Sequence, residues 1–332
     1  MINYNSLTIN IIYVPGTVQL LLPFFKTLYS HSNCKYRLVS NGCANDEIHE
    51  LKSAAEMDER LSFYDIDSQK VLPHHDLLNR LLDMETSEYF IFCDSDICAN
   101  GPFLKDAFDE LGEKDAFFSG FPLWHDESEK VMPRKFMVLG GRFPETHNGI
   151  IVGFSYFAIY RKNVLQQFMK THEISFDRYS WTTIPATLKP LLIRNQLKKS
   201  FYDTGKLLNA LMYLEGYKLS YAKLNALKHL GGISGITTQK NKNKVKHLLF
   251  QKRKLISVWA RIIMRYMKNF KSRRMSLKES ANIDLLVTKR IFTEAYFKVR
   301  VDDKGGLTEL SQNNISSDLL KDIDEIVSIV SD

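Results

Sequence analysis

The alternation of apolar strands and amphipathic helices over the first 95 residues is the feature that most limits the fold of this chain. Runs of β-branched and aromatic residues predict strands over 7–14, 36–40, 61–66, 89–93, 116–119 and 150–154. Apolar residues at helical spacing predict helices between them, over 18–31, 45–59 and 76–84. Because elements that alternate in this order pack as a parallel sheet between helices, we expect a mostly parallel α/β fold.

The composition is that of a folded protein, with 44% hydrophobic and 25% charged residues among 332. This length suggests two domains, or one large domain with an appendage. No run of 18 apolar residues occurs, so no transmembrane helix is expected. The start of the chain lacks the basic region of a signal peptide, and the 4 cysteines form no CxxC pair. We therefore expect free thiols, no cysteine zinc site and a cytoplasmic protein.

The charges are unevenly distributed along the chain and suggest where it divides. Residues 189–300 contain 26 Lys and Arg but only 5 Asp and Glu. A Lys-rich polar stretch at 239–246 predicts a linker, and apolar residues at three- and four-residue steps predict a long basic helix over 247–274. We therefore expect an α/β domain over 1–238 and a basic helical extension over 239–332.

The basic helix over 247–274 suits an anionic membrane surface, although it could equally pack its apolar stripe on the domain. A membrane contact would place the protein peripherally on the inner face of the membrane. Nucleic acid is a third candidate partner, since the same charges could bind phosphates. The chain has no RNP-like motif, zinc finger or clear helix-turn-helix, so nucleic acid is not expected.

Two carboxylates, Asp94 and Asp96, follow directly after the apolar strand predicted at 89–93. Carboxylates crowded at the end of a buried strand repel each other unless a cation neutralises them. Mg²⁺ and Mn²⁺ prefer oxygen ligands and often share them with substrate phosphates. The motif thus predicts a site for a metal-bound nucleoside diphosphate, with a solvated loop as the alternative.

Two later positions are further candidates for chemistry. Asp203 stands where a helix is expected to open, with Thr204 as the alternative first position, and that helix is expected to close at Gly216. Such a residue is either the N-cap of the helix or a general base. His229 precedes the pair Gly231-Gly232 and is either a structural histidine or a metal ligand, while the glycines would let the backbone approach a ligand.

These three motifs, in this order, resemble those of the GT-A glycosyltransferases, most closely family 2 and related bacterial enzymes. The resemblance covers roughly residues 7–237. It implies a Rossmann-like domain that binds a nucleotide sugar and transfers the sugar to a saccharide or lipid-linked acceptor. The donor is expected to be a UDP-sugar, with a GDP-sugar as the alternative, and the pathway to be polysaccharide or lipopolysaccharide biosynthesis.

The resemblance also implies a role for each matching residue. Asp94 and Asp96 would hold Mn²⁺ or Mg²⁺, His229 would be a further ligand of the metal, and Asp203 would be the catalytic base of an inverting reaction. The positions implied to contact the nucleotide are Asn41, Asp65, Asn79 and Ser95.

The sequence departs from the family pattern at several points. Asn41 stands where family 2 enzymes usually have acidic residues, Tyr202 precedes Asp203 where a Glu is usual, and the processive Gln-x-x-Arg-Trp motif does not occur. Residues 146–150 also resemble the retaining family 8 enzymes, so inversion and retention both remain open. A nucleotidylyltransferase is a further alternative, but the glycine-rich first loop of that class does not occur in this sequence. The last alternative is a non-catalytic protein that binds anionic ligands.

Overall fold

The structure is a computed structural model that describes residues 2–66, 70–120, 156–195, 197, 201–231 and 317–331. Three sequence predictions lie outside these residues: the strand at 150–154, the linker at 239–246 and the basic helix at 247–274. The family 8-like segment at 146–150 and Gly232 also lie outside them.

The predicted alternation of strands and helices is confirmed over the N-terminal part of the chain. The strands are β1 (Thr8–Tyr13), β2 (Lys35–Ser40), β3 (Leu61–Asp65), β4 (Tyr89–Cys93), β5 (Ile97–Ala99), β6 (Ala116–Ser119), β7 (Phe157–Arg161), β8 (Tyr179–Ser180), β9 (Phe201–Tyr202), β10 (Leu219–Tyr221) and β11 (Leu227–His229). The α-helices are α1 (Val18–Ser30), α2 (Asn45–Ala55), α3 (His74–Met84), α4 (Leu104–Leu111), α5 (Lys162–His172), α6 (Lys189–Arg194), α7 (Lys206–Leu214) and α8 (Ser317–Ser331). Short 3-10 turns lie at Tyr4–Ser6 and Ala186–Leu188.

Seven strands form one sheet in the order β10-β6-β7-β4-β1-β2-β3. Neighbouring strands are parallel except around β7, which runs antiparallel to both β4 and β6. The mostly parallel α/β fold is thereby confirmed, and the order β3-β2-β1-β4 is that of a Rossmann-like half. The carboxyl ends of β1 to β4 meet at one edge of the sheet, which is where such folds place their ligands.

The middle strand, β4, contributes to the hydrophobic cores on both faces of the sheet. Tyr89, Ile91 and Cys93 pack with helices α1, α2 and α4, whereas Phe90 and Phe92 pack with α3, α5 and α7. Successive side chains of a strand point to opposite faces, so a strand covered on both sides needs apolar residues throughout. This explains why β4 was recognisable as an unbroken apolar run.

A second, two-stranded sheet lies next to the carboxyl end of β4. Strand β5 pairs antiparallel with β11, with Ile97 opposite His229 and Ala99 opposite Leu227. Strand β5 was not predicted from the sequence, because three residues are too few to show a periodic pattern. This small sheet brings a segment from the end of the α/β domain back to the loop that follows β4.

Some predicted boundaries were wrong. The helix expected to open at Asp203 or Thr204 begins at Lys206, because Gly205 adopts a left-handed conformation with φ of 70° and serves as its N-cap. Helix α2 ends at Ala55, four residues earlier than predicted, and α3 begins two residues earlier, at His74. Asp203 is therefore not the N-cap of α7.

Helix α8 begins at Ser317 and packs against the α/β domain. Ile326 and Val330 are buried in the core that also contains residues of α1 and β5. The last helix of the predicted extension thus contacts the domain directly. Among the described residues, no helix is long and apolar enough to cross a bilayer.

Candidate functional site

The loop between β4 and β5 holds Asp94 and Asp96 at the carboxyl edge of the sheet. Two backbone hydrogen bonds fix this loop: the amide of Asp94 donates to the carbonyl of Tyr156 at 2.7 Å, and the amide of Ile97 donates to the carbonyl of Asp94 at 3.3 Å. Asp96 is buried, with 4% of its surface exposed, whereas the Asp94 side chain is 31% exposed. One carboxylate is therefore enclosed by protein and the other faces the solvent.

The β5–β11 pairing carries His229 to these two carboxylates. Nε2 of His229 lies 3.0 Å from Oδ1 of Asp96 and 3.8 Å from Oδ2 of Asp94. The amide of Leu230 donates to the carbonyl of Asp96 at 3.1 Å, which ties the two segments together beside the site. One potential ligand atom from each of the three side chains lies within 4.8 Å of the others.

The other ring nitrogen of His229 identifies the state of the imidazole. Nδ1 lies 2.8 Å from the carbonyl oxygen of Gly120, and because a carbonyl only accepts hydrogen bonds, Nδ1 must donate. Nε2 then has two options when it faces Asp96. Either it carries a second proton and donates to the carboxylate, or its lone pair shares a cation with the two aspartates.

The electrostatics agree with the first option when no cation is bound. Burial of the ring is the largest single effect and lowers the pKa of His229. The charges of Asp96 and Asp94 and the hydrogen bonds to Asp96 and Gly120 together outweigh burial, so the pKa is raised above its usual value. The negative charges of the two aspartates thus favour protonation of this imidazole when no metal is bound.

The same three side chains suit a hard divalent cation. Two carboxylates and one neutral imidazole are ligands that Mn²⁺ and Mg²⁺ sites use, especially when substrate oxygens complete the shell. The hydrogen bond from Nδ1 to Gly120 is the arrangement that orients metal-bound histidines elsewhere in proteins. The residues present thus fit a divalent metal, and the structure brings Asp94, Asp96 and His229 together as the sequence motifs implied.

Tyr156 packs against this centre. Its ring lies on the ring of His229 with centroids 4.9 Å apart. Burial raises the pKa of Tyr156, and the negative charges of Asp94, Asp96 and Asp203 raise it further. The phenol of Tyr156 thus lies within electrostatic reach of all three carboxylates.

Asp203 is held by a neighbouring arginine. Strands β8 and β9 pair with Tyr179 opposite Tyr202, so Arg178 and Asp203 stand opposite each other at the end of the ladder. Nε of Arg178 donates to Oδ1 of Asp203 at 2.8 Å, and the amide of Thr204 donates to the same oxygen at 3.0 Å. Both donors use Oδ1, and Oδ2 accepts no hydrogen bond from the described residues.

Two amides predicted to contact the nucleotide bind the protein's own backbone. Asn41, which is 2% exposed, donates from Nδ2 to the carbonyl of Leu72 and accepts from the Leu72 amide, at 3.0 and 2.8 Å. Asn79 donates to Asp177 at 3.1 Å and accepts from the amide of Phe176 at 3.1 Å. These bonds order loops beside the sheet edge, and nucleotide contacts by either residue stay a prediction.

The remaining predicted positions lie along the same edge. Asp65 is the last residue of β3, next to Ser40 at the end of β2. Ser95 lies between the two metal-site aspartates and is 4% exposed. Their roles toward a nucleotide also stay predictions.

Three residues that shape the site were not predicted from the sequence: Gly120, Tyr156 and Arg178. Gly120 directly follows the strand predicted at 116–119, and a glycine at the carboxyl end of a strand was a usable signal. Tyr156 and Arg178 carried no such signal, because their partners are distant in the sequence or lie in strands of two residues.

A second group of potential ligands, His75, Asp76 and Asp177, lies at the start of α3. Asp177 already accepts a hydrogen bond from Asn79, and His75 lies 3.6 Å from Asp76. All three are partly exposed, which is ordinary for polar side chains at a helix start. We assign no ligand to this group.

The fold and the site together define an α/β protein with a carboxylate–histidine centre at the carboxyl edge of its sheet.

A scan against models of protein families finds no match, and a search of curated proteins finds none. The chain is similar to the solved structure of the mannosyltransferase PcManGT from Pyrobaculum calidifontis in complex with GDP-Man and Mn²⁺, with a TM-score of 0.44, 12% identity and coverage of 97% of this chain and 86% of that chain. It is also similar to an active-site mutant of LgtC, with a TM-score of 0.39, 11% identity and coverage of 65% and 72%. Both likenesses are distant, and neither defines an activity for this chain.

Proposed function

We propose that this protein is a metal-dependent glycosyltransferase that uses a nucleotide-diphosphate sugar as donor. The observation that carries the proposal is the convergence of Asp94, Asp96 and His229 within 4.8 Å, directly after the middle strand of the sheet. A diphosphate needs a cation to neutralise it, and the carboxyl edge of a Rossmann-like sheet is where a nucleotide binds.

The chemistry follows from the position of the charges. A divalent cation bound there would neutralise the negative charge that develops on the departing diphosphate. Asp94, the more exposed carboxylate, faces the side from which a substrate would approach, while buried Asp96 and His229 form the fixed wall of the centre. His229 would bind through Nε2, because Nδ1 is already committed to Gly120.

Asp203 is proposed as the base that takes the proton from the acceptor hydroxyl in an inverting reaction. Arg178 and the Thr204 amide hold Oδ1, which fixes the plane of the carboxylate and leaves Oδ2 for the hydroxyl. A base must lie within hydrogen-bond reach of the proton that it removes. In a retaining reaction no such base is needed, so the fate of the anomeric configuration tests this role.

The donor is proposed to be a UDP-sugar or a GDP-sugar, and the acceptor a saccharide or a lipid-linked saccharide of a polysaccharide or lipopolysaccharide pathway. Contact with an anionic membrane surface would come from residues 247–274, which lie outside the described part of the chain. That contact stays a prediction from the sequence, as does a position on the inner face of the membrane.

The test is nucleotide binding with and without Mn²⁺, followed by transfer. Thermal shifts with UDP, GDP and other nucleoside diphosphates are measured on the wild type, Asp94→Asn and Asp96→Asn, because a ligand that binds only the folded state raises the melting temperature. Asp109→Asn is the matched control, since Asp109 pairs with Lys105 on the surface of α4. The expected result is a Mn²⁺-dependent shift that both site variants lose and the control keeps.

Transfer is then measured as release of the nucleoside diphosphate from UDP- and GDP-sugars, with and without saccharide acceptors. Release that requires both Mn²⁺ and an acceptor supports a glycosyltransferase. Metal-dependent hydrolysis without any transfer would contradict the proposed glycosyltransferase activity. A folded protein that neither binds nor turns over any nucleotide sugar would contradict it too, and would favour the non-catalytic class.

A further inference from the structure

We propose that helix α8 is part of the metal centre, and that Glu325 is a positioning residue for His229. This inference rests on the proposed metal site and deepens it, because it names a distant residue that sets the geometry of that site. It comes from the contacts that α8 makes with the two strands that frame the centre.

A single oxygen of Glu325 binds both strands of the small sheet. Oε1 lies 3.2 Å from Nζ of Lys228 on β11 and accepts a hydrogen bond of 3.4 Å from Nδ2 of Asn100, the residue after β5. The backbone amide of Asn100 in turn donates to the carbonyl of Ala226 at 3.0 Å. Glu325 therefore links the two strands at the end of their ladder.

Each linked strand carries part of the centre. Lys228 directly precedes His229, and β5 begins at the residue after Asp96. Since successive side chains of a strand point to opposite faces, Lys228 reaches toward α8 while His229 reaches toward the aspartates. A shift of β11 relative to β5 would change the distance between Nε2 of His229 and the carboxylates.

Strand β5 is also held from its other side. The amide of Ala99 donates to Oγ1 of Thr27 on α1 at 2.9 Å. Helix α8 is anchored in turn by Ile326 and Val330, which are buried in the core shared with α1. The loop that carries the two aspartates thus leads into a strand fixed by α1. The histidine-bearing strand is paired with β5 and also contacts α8 through Lys228.

The contact with Glu325 is too exposed to serve mainly as a source of stability. The side chains of Lys228 and Glu325 are 23% and 38% exposed, and ion pairs of this kind contribute little to folding. Its effect is expected on the geometry of the centre, where small displacements of a ligand change metal affinity. Loss of Glu325 should therefore weaken metal binding without unfolding the protein.

The experiment is Mn²⁺ binding to the full chain, measured by electron paramagnetic resonance of free Mn²⁺, for the wild type, Glu325→Ala, Glu325→Gln and Lys228→Met. We expect affinity to fall about three- to fivefold in Glu325→Ala, the largest change that a partly exposed ion pair can supply. Glu325→Gln keeps an acceptor for Asn100 and should lose less. The double variant Glu325→Ala with Lys228→Met should bind no more weakly than Glu325→Ala alone, because both changes break one link.

Asp324→Asn is the matched control, since Asp324 is an exposed carboxylate on the same helix. It should bind Mn²⁺ like the wild type, and all variants should keep their melting temperatures within a few degrees. If Glu325→Ala binds Mn²⁺ as tightly as the wild type does, this inference is overturned, whereas the proposed metal site is not. A wild type that binds no Mn²⁺ would overturn the proposed function, and this inference with it.

Discussion

Nε2 of His229 lies 3.0 Å from Oδ1 of Asp96, although 133 positions separate the two residues in the sequence. The contact exists because β11 pairs with β5 immediately after the loop that carries Asp96. Nδ1 of the same ring donates to Gly120, so the proton on the imidazole is assigned by geometry. Because Nδ1 is fixed and Nε2 faces two carboxylates, Nε2 can bind either a proton or a metal ion.

The first prediction concerns this histidine. His229→Ala should weaken Mn²⁺ binding by at least about tenfold, which is roughly 1.4 kcal/mol. The reason is that the metal loses one of its three protein ligands and keeps only the two carboxylates. Isothermal titration calorimetry with Mn²⁺ measures the change. His172→Ala is the control, since Nε2 of His172 lies 2.9 Å from Oε2 of Glu215 and contacts none of the three candidate ligands. This variant should leave the Mn²⁺ affinity unaltered.

Unchanged Mn²⁺ affinity in His229→Ala would mean that the histidine is structural, which was the alternative open from the sequence. A protein that no longer folds would be recognised by its circular dichroism. In that case His229→Gln, which keeps a side chain able to accept and donate hydrogen bonds, replaces it in the same titration.

The second prediction concerns Gly120, which orients the ring. Its φ is +77°, and a Cβ added there would lie 2.9 Å from Cδ1 of Ile97 and 3.5 Å from the backbone nitrogen of Phe157. Gly120→Ala should therefore destabilise the protein by about 2 kcal/mol or more, through left-handed strain together with crowding. It should also weaken Mn²⁺ binding, because the carbonyl that holds His229 moves.

Gly216→Ala separates these two effects. Gly216 also has positive φ, at +88°, but a Cβ there meets nothing within 4 Å. This control should cost only about 1 kcal/mol, the strain of the left-handed conformation, and should bind Mn²⁺ normally. Urea unfolding followed by Mn²⁺ titration compares the two variants, and equal losses in both would contradict a special role for Gly120.

The third prediction concerns Asn41, which the sequence resemblance placed at the nucleotide. Asn41→Ala removes both hydrogen bonds to the Leu72 backbone in a buried position and should cost about 1–3 kcal/mol of stability. If Asn41 acts only through this loop, the free energy of nucleotide binding should change less than the free energy of unfolding. Urea unfolding measures the first quantity and calorimetry with UDP or GDP the second.

Asn195→Ala is the control for that pair of measurements, since its amide bonds to the carbonyl of Leu191 on the surface. It should change stability by no more than about 0.5 kcal/mol. A large loss of nucleotide affinity in an Asn41→Ala protein of normal stability would instead show that the side chain contacts the ligand.

The sequence predicted those parts of the fold and site that depend on local patterns. Strand β4 is apolar on both faces because both faces are covered, and Asp94 and Asp96 follow it directly, so one short segment predicted the strand and the candidate ligands together.

The contacts between distant segments were beyond such patterns. Strands β5, β8 and β9 have only two or three residues, and their pairing is set by the rest of the fold rather than by propensity. For that reason the Arg178–Asp203 pair emerges only from the structure. The helix start predicted at Asp203 or Thr204 was wrong because a left-handed Gly205 delays the helix to Lys206.

The last prediction concerns Asp203 and its partner Arg178. If Asp203 is the base of an inverting transfer, Asp203→Asn should lower kcat by about 100- to 10,000-fold, since general-base catalysis is lost while the shape is kept. The KM for the donor should change little. Arg178→Lys should lower kcat less, because a lysine keeps the charge but not the fixed direction of the guanidinium hydrogen bond.

Asp177→Asn provides the comparison, because Asp177 is adjacent to Arg178 but bonds to Asn79 instead of Asp203. It should retain near-normal kcat. Proton NMR of the first product formed reports the anomeric configuration of the transferred sugar. Inversion together with a large loss in Asp203→Asn supports the base, whereas retention of configuration, or near-normal kcat in Asp203→Asn, would remove Asp203 from that role and leave the Arg178–Asp203 pair as a structural link between β8 and β9.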